Sequence, residues 1–242
     1  MSQLVTYEPA GPFARITMDD GKVNVMSPDM LAALHEAFDR AEADAAIVVL
    51  TGRENIFSAG FDLKVLSQGS ADEHHTMLKR GAELALRVLS FPTPVVSACN
   101  GHALPMGAFL MLASDVRIGA DGPFMIGLNE VAIGLTVPQF AIELARQRLT
   151  PAYYSRSLMT GQRFAPQEAV QAGYLDRVVA PDQLMQEAEA AATALAGIHL
   201  PSHAATKKKA RKEAIEAIRA AIDLELTIEN VRSAVERRAV PA

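Results

Sequence analysis

The sequence is poor in cysteine and has no long hydrophobic run. Its one cysteine, Cys99, cannot form a disulfide within the chain, and its position in an apolar segment predicts a buried, inert thiol. No apolar run approaches the roughly 20 residues that a membrane-spanning helix needs. Residues 1–3 lead directly into strand-like sequence, so we expect no signal peptide. These absences predict a cytoplasmic protein that does not enter a membrane.

Several catalytic and ligand-binding motifs are also absent. The sequence has no Gly-x-Ser-x-Gly, Cys-x-x-Cys or His-Glu-x-x-His, no phosphate-binding glycine loop and no dinucleotide fingerprint, which argues against nucleotide hydrolysis and redox chemistry. His74 and His75 are adjacent and do not share a helix face, so we expect no metal site there. The net charge of -5 argues against general nucleic-acid binding.

What the sequence does contain is one stretch, residues 94–135, in which a strand, a turn and a buried helix follow one another. Val95, Val96 and Ala98 predict a buried strand. The run from Gly107 to Ala113 is apolar on all sides, as expected of a short buried helix. Such a helix presents unpaired amides with partial positive charge at the carboxyl end of the strand. Negative charge that develops in a reaction can be held there.

The rest of the pattern predicts an α/β fold with one sizeable core, since half of the 242 residues are hydrophobic. A strand over residues 47–51 and a helix over residues 70–90 precede the strand that starts near Pro94. This order predicts that the two strands are parallel neighbours. Loops at the carboxyl ends of such strands open into one crevice, so we expect Gly60-Phe61 and Met106-Gly107 to face each other there. The other predicted elements are an N-terminal hairpin over residues 4–18, a helix that Ser27-Pro28 caps, and short strands over residues 115–118 and 124–126.

A single acid, Glu130, follows the central helix in an otherwise apolar segment that includes Leu128 and Val131. If this carboxyl group is buried, its pKa should be raised and it should be suited to proton exchange. The alternative is a carboxylate at the rim of the protein that forms a salt bridge.

Recognisable segments follow one another along the chain: Phe57–Leu63, Asn100-Gly101 with Gly107 beyond it, Asp115–Ile118, and Ile126–Glu130 with Gly134. In order and spacing they resemble the motifs of the crotonase (enoyl-CoA hydratase/isomerase) superfamily, from about Leu4 to Pro181. The resemblance implies a crotonase-like spiral of ββα turns with a helical C-terminal part. It also implies acyl-CoA substrates, with coenzyme A as part of the substrate and no separate cofactor, and homotrimers or dimers of trimers.

Carried over by position, the family's oxyanion hole falls on the backbone amides of Phe61 and Met106. Of the family's two catalytic acids, Glu130 matches the second, and Phe109 stands at the first. Moving a double bond needs only one carboxylate, which takes a proton from C2 and returns it to C4. The resemblance is greatest to single-acid Δ3,Δ2-enoyl-CoA isomerases, which also carry a segment similar to Lys22-Val23-Asn24. It therefore predicts that Glu130 shifts a 3-enoyl-CoA double bond to give 2-enoyl-CoA.

Further residues are expected to bind the substrate: Ala59, Gly60, Lys64, Gly107 and Phe109. Three other functions stay open. The first is an enoyl-CoA hydratase whose second group lies elsewhere, and the second is other enolate chemistry, such as that of a decarboxylase or thioesterase. The third is a crotonase-fold protein that binds acyl-CoA or another partner without turnover.

The C-terminal part carries two patterns. The basic run from Lys207 to Lys212 predicts a solvated helix face, with binding of CoA phosphates as the alternative. The amphipathic run from Ile215 to Val235 would leave an apolar stripe on a lone subunit, which predicts a trimer or hexamer. We therefore divide the chain into a core with the acyl-CoA site, residues 1–190, and a helical oligomerisation region, residues 191–242. Elsewhere, Asp115 and Arg117 are expected to be structural partners, and His102 a hydrogen-bonded turn residue.

Overall fold

The structure is a computed structural model that describes residues 4–239, with side chains up to Ser233. The strands are β1 (Val5–Ala10), β2 (Phe13–Met18), β3 (Val25–Met26), β4 (Ile47–Gly52), β5 (Asn55–Ser58), β6 (Gly60–Phe61), β7 (Val95–Cys99), β8 (Gly101–Ala103), β9 (Val116–Ala120), β10 (Ile126–Gly127), β11 (Arg163–Phe164) and β12 (Arg177–Val179). The helices are α1 (Pro28–Ala43), α2 (Leu63–Gln68), α3 (Ala71–Ser90), α4 (Pro105–Ala113), α5 (Gln139–Arg148), α6 (Pro151–Thr160), α7 (Pro166–Ala172), α8 (Leu184–Leu195), α9 (Leu200–Ala210), α10 (Lys212–Glu225) and α11 (Ile228–Ala239). Within residues 4–239, no helix combines the length and the apolarity that crossing a bilayer requires.

The strands repeat a pattern in which consecutive strands enter different sheets. The larger sheet has six strands in the order β1-β2-β4-β7-β9-β12, the smaller sheet has four in the order β11-β10-β8-β5, and β3 and β6 form a separate pair. Each pair β4-β5, β7-β8 and β9-β10 therefore places its first strand in the larger sheet and its second in the smaller one. The prediction of a mixed α/β spiral built from ββα turns is confirmed.

The neighbours within the larger sheet also agree with the sequence. β1 and β2 form the expected antiparallel hairpin, and β4 and β7 are parallel neighbours with Val49 opposite Val96. Their side chains are almost completely buried, because α1 and α3 cover one face of this sheet and α8 covers the other.

Local sequence explains where the first long helices begin. The hydroxyl of Ser27 accepts a hydrogen bond from the amide of Met30 (3.2 Å) at the start of α1, as the Ser-Pro pair predicts. At the start of α3, Ser70 and Glu73 form a capping box, in which each side chain accepts a hydrogen bond from the backbone of the other. These caps end the preceding loops at defined positions.

Helix α4 lies inside the core, as its apolar sequence predicts. Every residue from Met106 to Ala113 is buried, between α3 on one side and α5 on the other. The helix begins at Pro105 rather than at Gly107, because proline fits the first helical position, where no amide donor is needed. Phe124, expected in a strand, lies just before β10 and packs edge-on against His102.

Two expectations for the C-terminal helices were wrong. The basic run is not a uniformly solvated face, because Lys207 is buried and donates hydrogen bonds to the backbone of Phe91 (2.9 Å) and to Asp115 (2.6 Å). The apolar stripe is not exposed in a lone subunit, because α10 packs on α3 and α5, and α11 packs on α3. Its members within the described side chains are all buried: Ile215, Ile218, Ile222, Leu226 and Val231.

Three further predictions concern the end of the apolar stripe, the charged pair near β9 and the domain boundary. The side chain of Val235, at the end of the stripe, lies outside the described residues. Asp115 and Arg117 have structural roles, as expected. Asp115 forms salt bridges with Lys207 and Arg211, and Arg117 forms one with Asp176. The proposed boundary after residue 190 falls inside α8.

Candidate active site

Three neighbouring strands of the smaller sheet run parallel and end at the same edge. Ser58 at the end of β5 is opposite Ala103 at the end of β8, and Ala103 is in turn opposite Ile126 in β10. The chain therefore leaves this sheet at three adjacent points on its carboxyl edge. In α/β proteins, such an edge is the usual place for a ligand.

Each of these exits leads to one of the predicted site residues. After β5 the chain reaches Phe61, after β8 it reaches Met106 in the first turn of α4, and after β10 it reaches Glu130. Gly60 lies against the start of α4, because a Cβ atom on it would lie 3.4 Å from Cδ of Pro105. That Gly60-Phe61 and Met106-Gly107 face each other across a ligand crevice stays a prediction.

The predicted site residues follow strands of the smaller sheet, β5 and β8. The sequence interpretation instead placed Gly60-Phe61 and Met106-Gly107 at the carboxyl ends of β4 and β7 in the larger sheet, because it took β5 and β8 for a loop and a turn. These strands have only four and three residues, which is too short for a periodic pattern to be visible. A cavity of about 840 Å³ does lie beyond the carboxyl ends of β4, β7 and β9, but its lining, which includes Asn100, His102 and Asp121, contains none of these predicted site residues.

A small hydrogen-bond network fixes the segment that leads from β5 to Phe61 in β6. Ser58 donates its hydroxyl proton to the backbone oxygen of Asn24 (2.7 Å) and accepts a hydrogen bond from the amide of Gly60 (3.1 Å). The buried side chain of Asn24 donates to the backbone oxygens of Met18 (3.0 Å) and Phe57 (3.2 Å). Gly60 has a φ of +95°, which favours glycine over residues with a side chain. These hydrogen bonds hold the segment from Ser58 to Gly60 in a defined position.

The start of α4 leaves an amide donor free. Leu104, the N-cap residue, provides no side-chain acceptor, and Pro105 occupies the first helical position. The amide of Gly107 donates to the backbone oxygen of Leu104 (2.7 Å). The amide of Met106 donates to no acceptor among the described residues. It therefore has the partial positive charge of an uncapped helix N-terminus.

Phe61 and Met106 meet against α3. A Cβ atom on Gly81 would lie 2.5 Å from Cε1 of Phe61 and 3.2 Å from Sδ of Met106, so only glycine leaves room for both side chains. Gly107 is similarly confined, because a Cβ atom there would lie 2.9 Å from Cβ of Ser58. These close contacts determine how near the two backbone segments come to each other.

Glu130 is buried, and its carboxylate has no hydrogen-bond partner in the part of the chain that the structure describes. Its side chain lies at the start of a short 3₁₀ turn, Val131–Ile133, and the residue is 5% exposed. Neither carboxylate oxygen accepts a hydrogen bond from the described residues. Burial raises the pKa of Glu130 to about 7, although the backbone amide of the same residue lowers it slightly. The alternative of a rim carboxylate in a salt bridge is therefore wrong.

Phe109, the residue where a second acid would stand, lies inside the core. It is completely buried on α4 and packs edge-on against Phe140, with ring centroids 5.3 Å apart. Its ring cannot exchange a proton. Only one of the two positions that the resemblance assigns to acids can therefore ionise.

The remaining sequence assignments fall as follows. Ala59 donates its amide to the backbone of Val23 (2.9 Å), and Lys64 lies exposed in the first turn of α2. Nδ1 of His102 accepts a hydrogen bond from the amide of Met125 (3.1 Å), as expected of a turn histidine. Cys99 is buried as expected, and burial raises the pKa of its thiol to about 12.

The sequence interpretation missed two buried hydroxyl groups near the Glu130 segment, those of Ser157 on α6 and Tyr174 after α7. No motif includes them, and they approach the segment from helices that are distant in sequence. They also follow no periodic pattern that distinguishes them from other core residues. In the sequence, Asn24 was identified only through the family resemblance. In the structure it is a polar residue with a positive φ between two strands, which is typical of a structural turn.

Comparison with known proteins agrees with this geometry. Residues 10–238 match the family described as Enoyl-CoA hydratase/isomerase. The chain belongs to this family.

Individual members of the enoyl-CoA hydratase/isomerase family resemble the chain over most of its length. A crystal structure of an enoyl-CoA hydratase/isomerase family protein from Pseudomonas syringae has a TM-score of 0.90 and 44% identity, covering 93% of this chain and 97% of that one. A putative enoyl-CoA hydratase of Thermus thermophilus is 35% identical over 183 residues, 74% of this chain and 72% of that protein. The human mitochondrial enoyl-CoA delta isomerase 1 is 30% identical over 245 aligned positions, 99% of this chain and 80% of that protein.

These similarities confirm the crotonase-like fold and the membership of a family of acyl-CoA enzymes. They do not decide between hydration and isomerisation, because some relatives are named hydratases and others isomerases. The choice between the reactions depends on the side chains of this site.

Proposed function

We propose that the protein is an enoyl-CoA isomerase that converts 3-enoyl-CoA to 2-enoyl-CoA with Glu130 as its only acid and base. The observation that carries the proposal is the buried carboxylate of Glu130, neither oxygen of which has a hydrogen-bond partner among the described residues. At the position where the resemblance places a second acid, the chain has Phe109, which is completely buried and cannot ionise. The human delta isomerase is also similar over nearly the whole chain.

The reaction follows from these groups in two proton transfers. Ionised Glu130 removes a proton from C2 of the substrate, and the electron pair moves onto the thioester oxygen to give a dienolate. The protonated carboxyl group then returns the proton to C4, which leaves the double bond between C2 and C3 and regenerates the carboxylate. A pKa near 7 suits a group that must both accept and donate a proton at neutral pH.

The amides of Phe61 and Met106 are proposed to stabilise the dienolate oxygen. A donor pair that is fixed before the reaction can stabilise developing charge without reorganisation. The free amide of Met106 and the rigid loop before Phe61 support this role. Ala59, Gly60, Lys64 and Gly107 surround these donors in the sequence, and we propose that they contact the substrate, with Phe109 as part of the apolar wall.

Hydration is the second candidate, because the Thermus relative is named a putative hydratase. Adding water requires one group to orient the water and another to manage the proton, and Phe109 can do neither. Binding without catalysis is less well supported. A carboxylate that is buried without a partner lowers the stability of the fold, and a binding protein gains nothing from it.

The test is to incubate the purified protein separately with a 3-enoyl-CoA and a 2-enoyl-CoA and to identify the products by chromatography and NMR. The proposal predicts rapid formation of 2-enoyl-CoA from the first substrate and little 3-hydroxyacyl-CoA from the second. Faster hydration than isomerisation would favour the hydratase instead. If both substrates are recovered unchanged, neither reaction is the function.

A further inference from the structure

The two residues whose amides are proposed to hold the thioester oxygen, Phe61 and Met106, both have large apolar side chains. Only their backbone takes part in the proposed reaction. A smaller residue at either position would offer the same amide, so the reaction does not explain the size of these side chains.

Both side chains extend from the proposed donors to the middle of α3. A Cβ atom on Gly81 would lie 2.5 Å from Cε1 and 2.7 Å from Cζ of Phe61, and 3.2 Å from Sδ of Met106. An aromatic ring and a thioether thus fill the space between the two residues and the backbone of the helix, and Met106 is completely buried. Because protein interiors are close-packed, a substrate cannot extend towards α3 while both side chains lie there.

Gly81 is an unfavourable residue for its position. It lies in the interior of α3, a helix of 20 residues, where glycine lowers stability relative to alanine. The close contacts show what this glycine provides, which is room for the Phe61 ring and the Met106 thioether against the helix. The two large side chains and the glycine that accommodates them therefore form one arrangement, although they come from three separate elements.

Some apolar surface remains accessible at the edge of this arrangement. Phe61 is only partly buried, and so is Leu78, which lies on the same face of α3 as Gly81. Val65 on α2 is also partly buried, and all three side chains pack against the main core. A substrate gains affinity from the apolar surface that it covers, and this surface is small.

We propose that the side chains of Phe61 and Met106, packed on Gly81, limit the length of the acyl group, so that the site accepts short-chain acyl-CoA thioesters and excludes long-chain ones. The donors fix the thioester oxygen, and the carbon atoms from C2 to C4 must stay within reach of Glu130. Carbon atoms beyond C4 need the space that the ring and the thioether occupy. This inference rests on the proposed function in taking the two amides as the donors to the thioester.

The first test measures binding and needs no turnover. The dissociation constants of butyryl-CoA and octanoyl-CoA are measured by calorimetry, and their ratio reports the contribution of the additional methylene groups. A fully buried methylene group adds about fourfold in affinity, so a site that held the whole octanoyl chain would favour it by about 200-fold. In wild type the two constants should differ by less than about threefold, because the additional methylene groups are not buried.

Truncation of either side chain should open the site to the longer chain. In Phe61→Ala and in Met106→Ala, octanoyl-CoA should gain at least about tenfold relative to butyryl-CoA. The matched control is Phe124→Ala, which removes the same ring from the other apolar cluster and should leave the ratio unchanged. Should neither alanine variant at the site fold, Phe61→Leu decides by the same ratio, since it removes the ring and stays apolar.

The second test uses the contact on α3 itself. Gly81→Ala should push the Phe61 ring towards the donors and weaken butyryl-CoA binding roughly tenfold, whereas the same change in Phe61→Ala should have little effect because the displaced ring is absent. An equal loss in both backgrounds would mean that Gly81 has only a structural role and would overturn the proposal.

The outcomes separate this inference from the proposed function. Wild type that binds octanoyl-CoA more than about tenfold more tightly than butyryl-CoA would overturn the limit on chain length. Unchanged ratios in both alanine variants would overturn it as well. If the ratios change as predicted but wild type does not isomerise 3-enoyl-CoA, the limit stands and the proposed function fails. Isomerisation of short and long chains with equal kcat/KM would support the function and overturn the limit.

Discussion

At the residue scale, Glu130 combines features that rarely occur together in a stable fold. It is buried, its carboxylate has no hydrogen-bond partner within residues 4–233, and burial raises its pKa to about 7. The apolar neighbours in the sequence were enough to predict this direction. The hydroxyl groups of Tyr174 and Ser157 could not be predicted, because their proximity depends on how α6 and α7 pack rather than on any local pattern.

The first prediction concerns the pH dependence of activity. If ionised Glu130 is the base, kcat/KM for isomerisation should rise about tenfold per pH unit well below pH 7 and level off above it. The pH profile of kcat/KM reports the ionisation of Glu130 in the free enzyme. The same midpoint is therefore expected with substrates of different chain length. A profile that is flat from pH 5 to 9 would rule out Glu130 as the titrating base.

The second prediction concerns stability. The folded pKa of about 7 exceeds the unfolded value of about 4.3, so folding takes up a proton between these pH values. The contribution of Glu130 to the free energy of unfolding should therefore fall across this window as pH rises. Glu130→Gln does not titrate, so relative to wild type it should gain on the order of 2–4 kcal/mol between pH 4 and pH 8.

Urea denaturation of both proteins at the two pH values measures this difference. Glu36→Gln, at an exposed position on α1, is the matched control and should follow wild type. A difference between Glu130→Gln and wild type that does not change with pH would contradict the raised pKa.

At the element scale, the position of the site follows from three short strands, of which the sequence indicated only β10, as part of a strand over residues 124–126. Phe61, Met106 and Glu130 follow β5, β8 and β10 at the carboxyl edge of the smaller sheet. Each of these strands is too short to show an alternation of apolar and polar residues. The long elements were predictable because their patterns are long. The buried helix α4 was recognised from its continuous apolar run, and α1 and α3 from their apolar spacing.

The third prediction tests the amide at the start of α4. Met106→Pro removes this donor within the first helical turn, where proline is better tolerated than in the helix interior. It should reduce kcat/KM roughly 100- to 1,000-fold, the usual effect of losing one oxyanion donor. Met106→Leu keeps the amide and a similar volume, so it should have a far smaller effect. Equal effects of the two changes, with the fold intact by circular dichroism, would refute the role of this amide.

At the scale of the whole molecule, the C-terminal helices belong to the same core as the sheets. Ile215 and Ile218 of α10 are part of one apolar cluster with α3, α4 and α5. The apolar stripe therefore gives no reason to expect an oligomer. The trimer or hexamer that the resemblance implies stays a prediction, which sedimentation at micromolar concentration can decide.

The fourth prediction concerns the polar contact that fastens α9 to the sheet. Lys207 is buried with Asp115 at 2.6 Å, and its removal would leave that carboxylate with one partner fewer. Lys207→Met should lower the free energy of unfolding by about 2–4 kcal/mol, since a buried pair loses one member. Lys208→Met, at the exposed next position, should change it by less than about 0.5 kcal/mol. Similar values for the two variants in urea denaturation would contradict the buried role of Lys207.

The most direct test of the single-carboxylate mechanism is the rate of isomerisation of 3-enoyl-CoA by Glu130→Gln at pH 8, measured together with the affinity for a saturated acyl-CoA. The amide of glutamine keeps the shape of the side chain but cannot accept the C2 proton. We predict that turnover falls roughly 100- to 10,000-fold while acyl-CoA affinity stays within a few-fold of wild type. Near wild-type turnover by Glu130→Gln would contradict the mechanism.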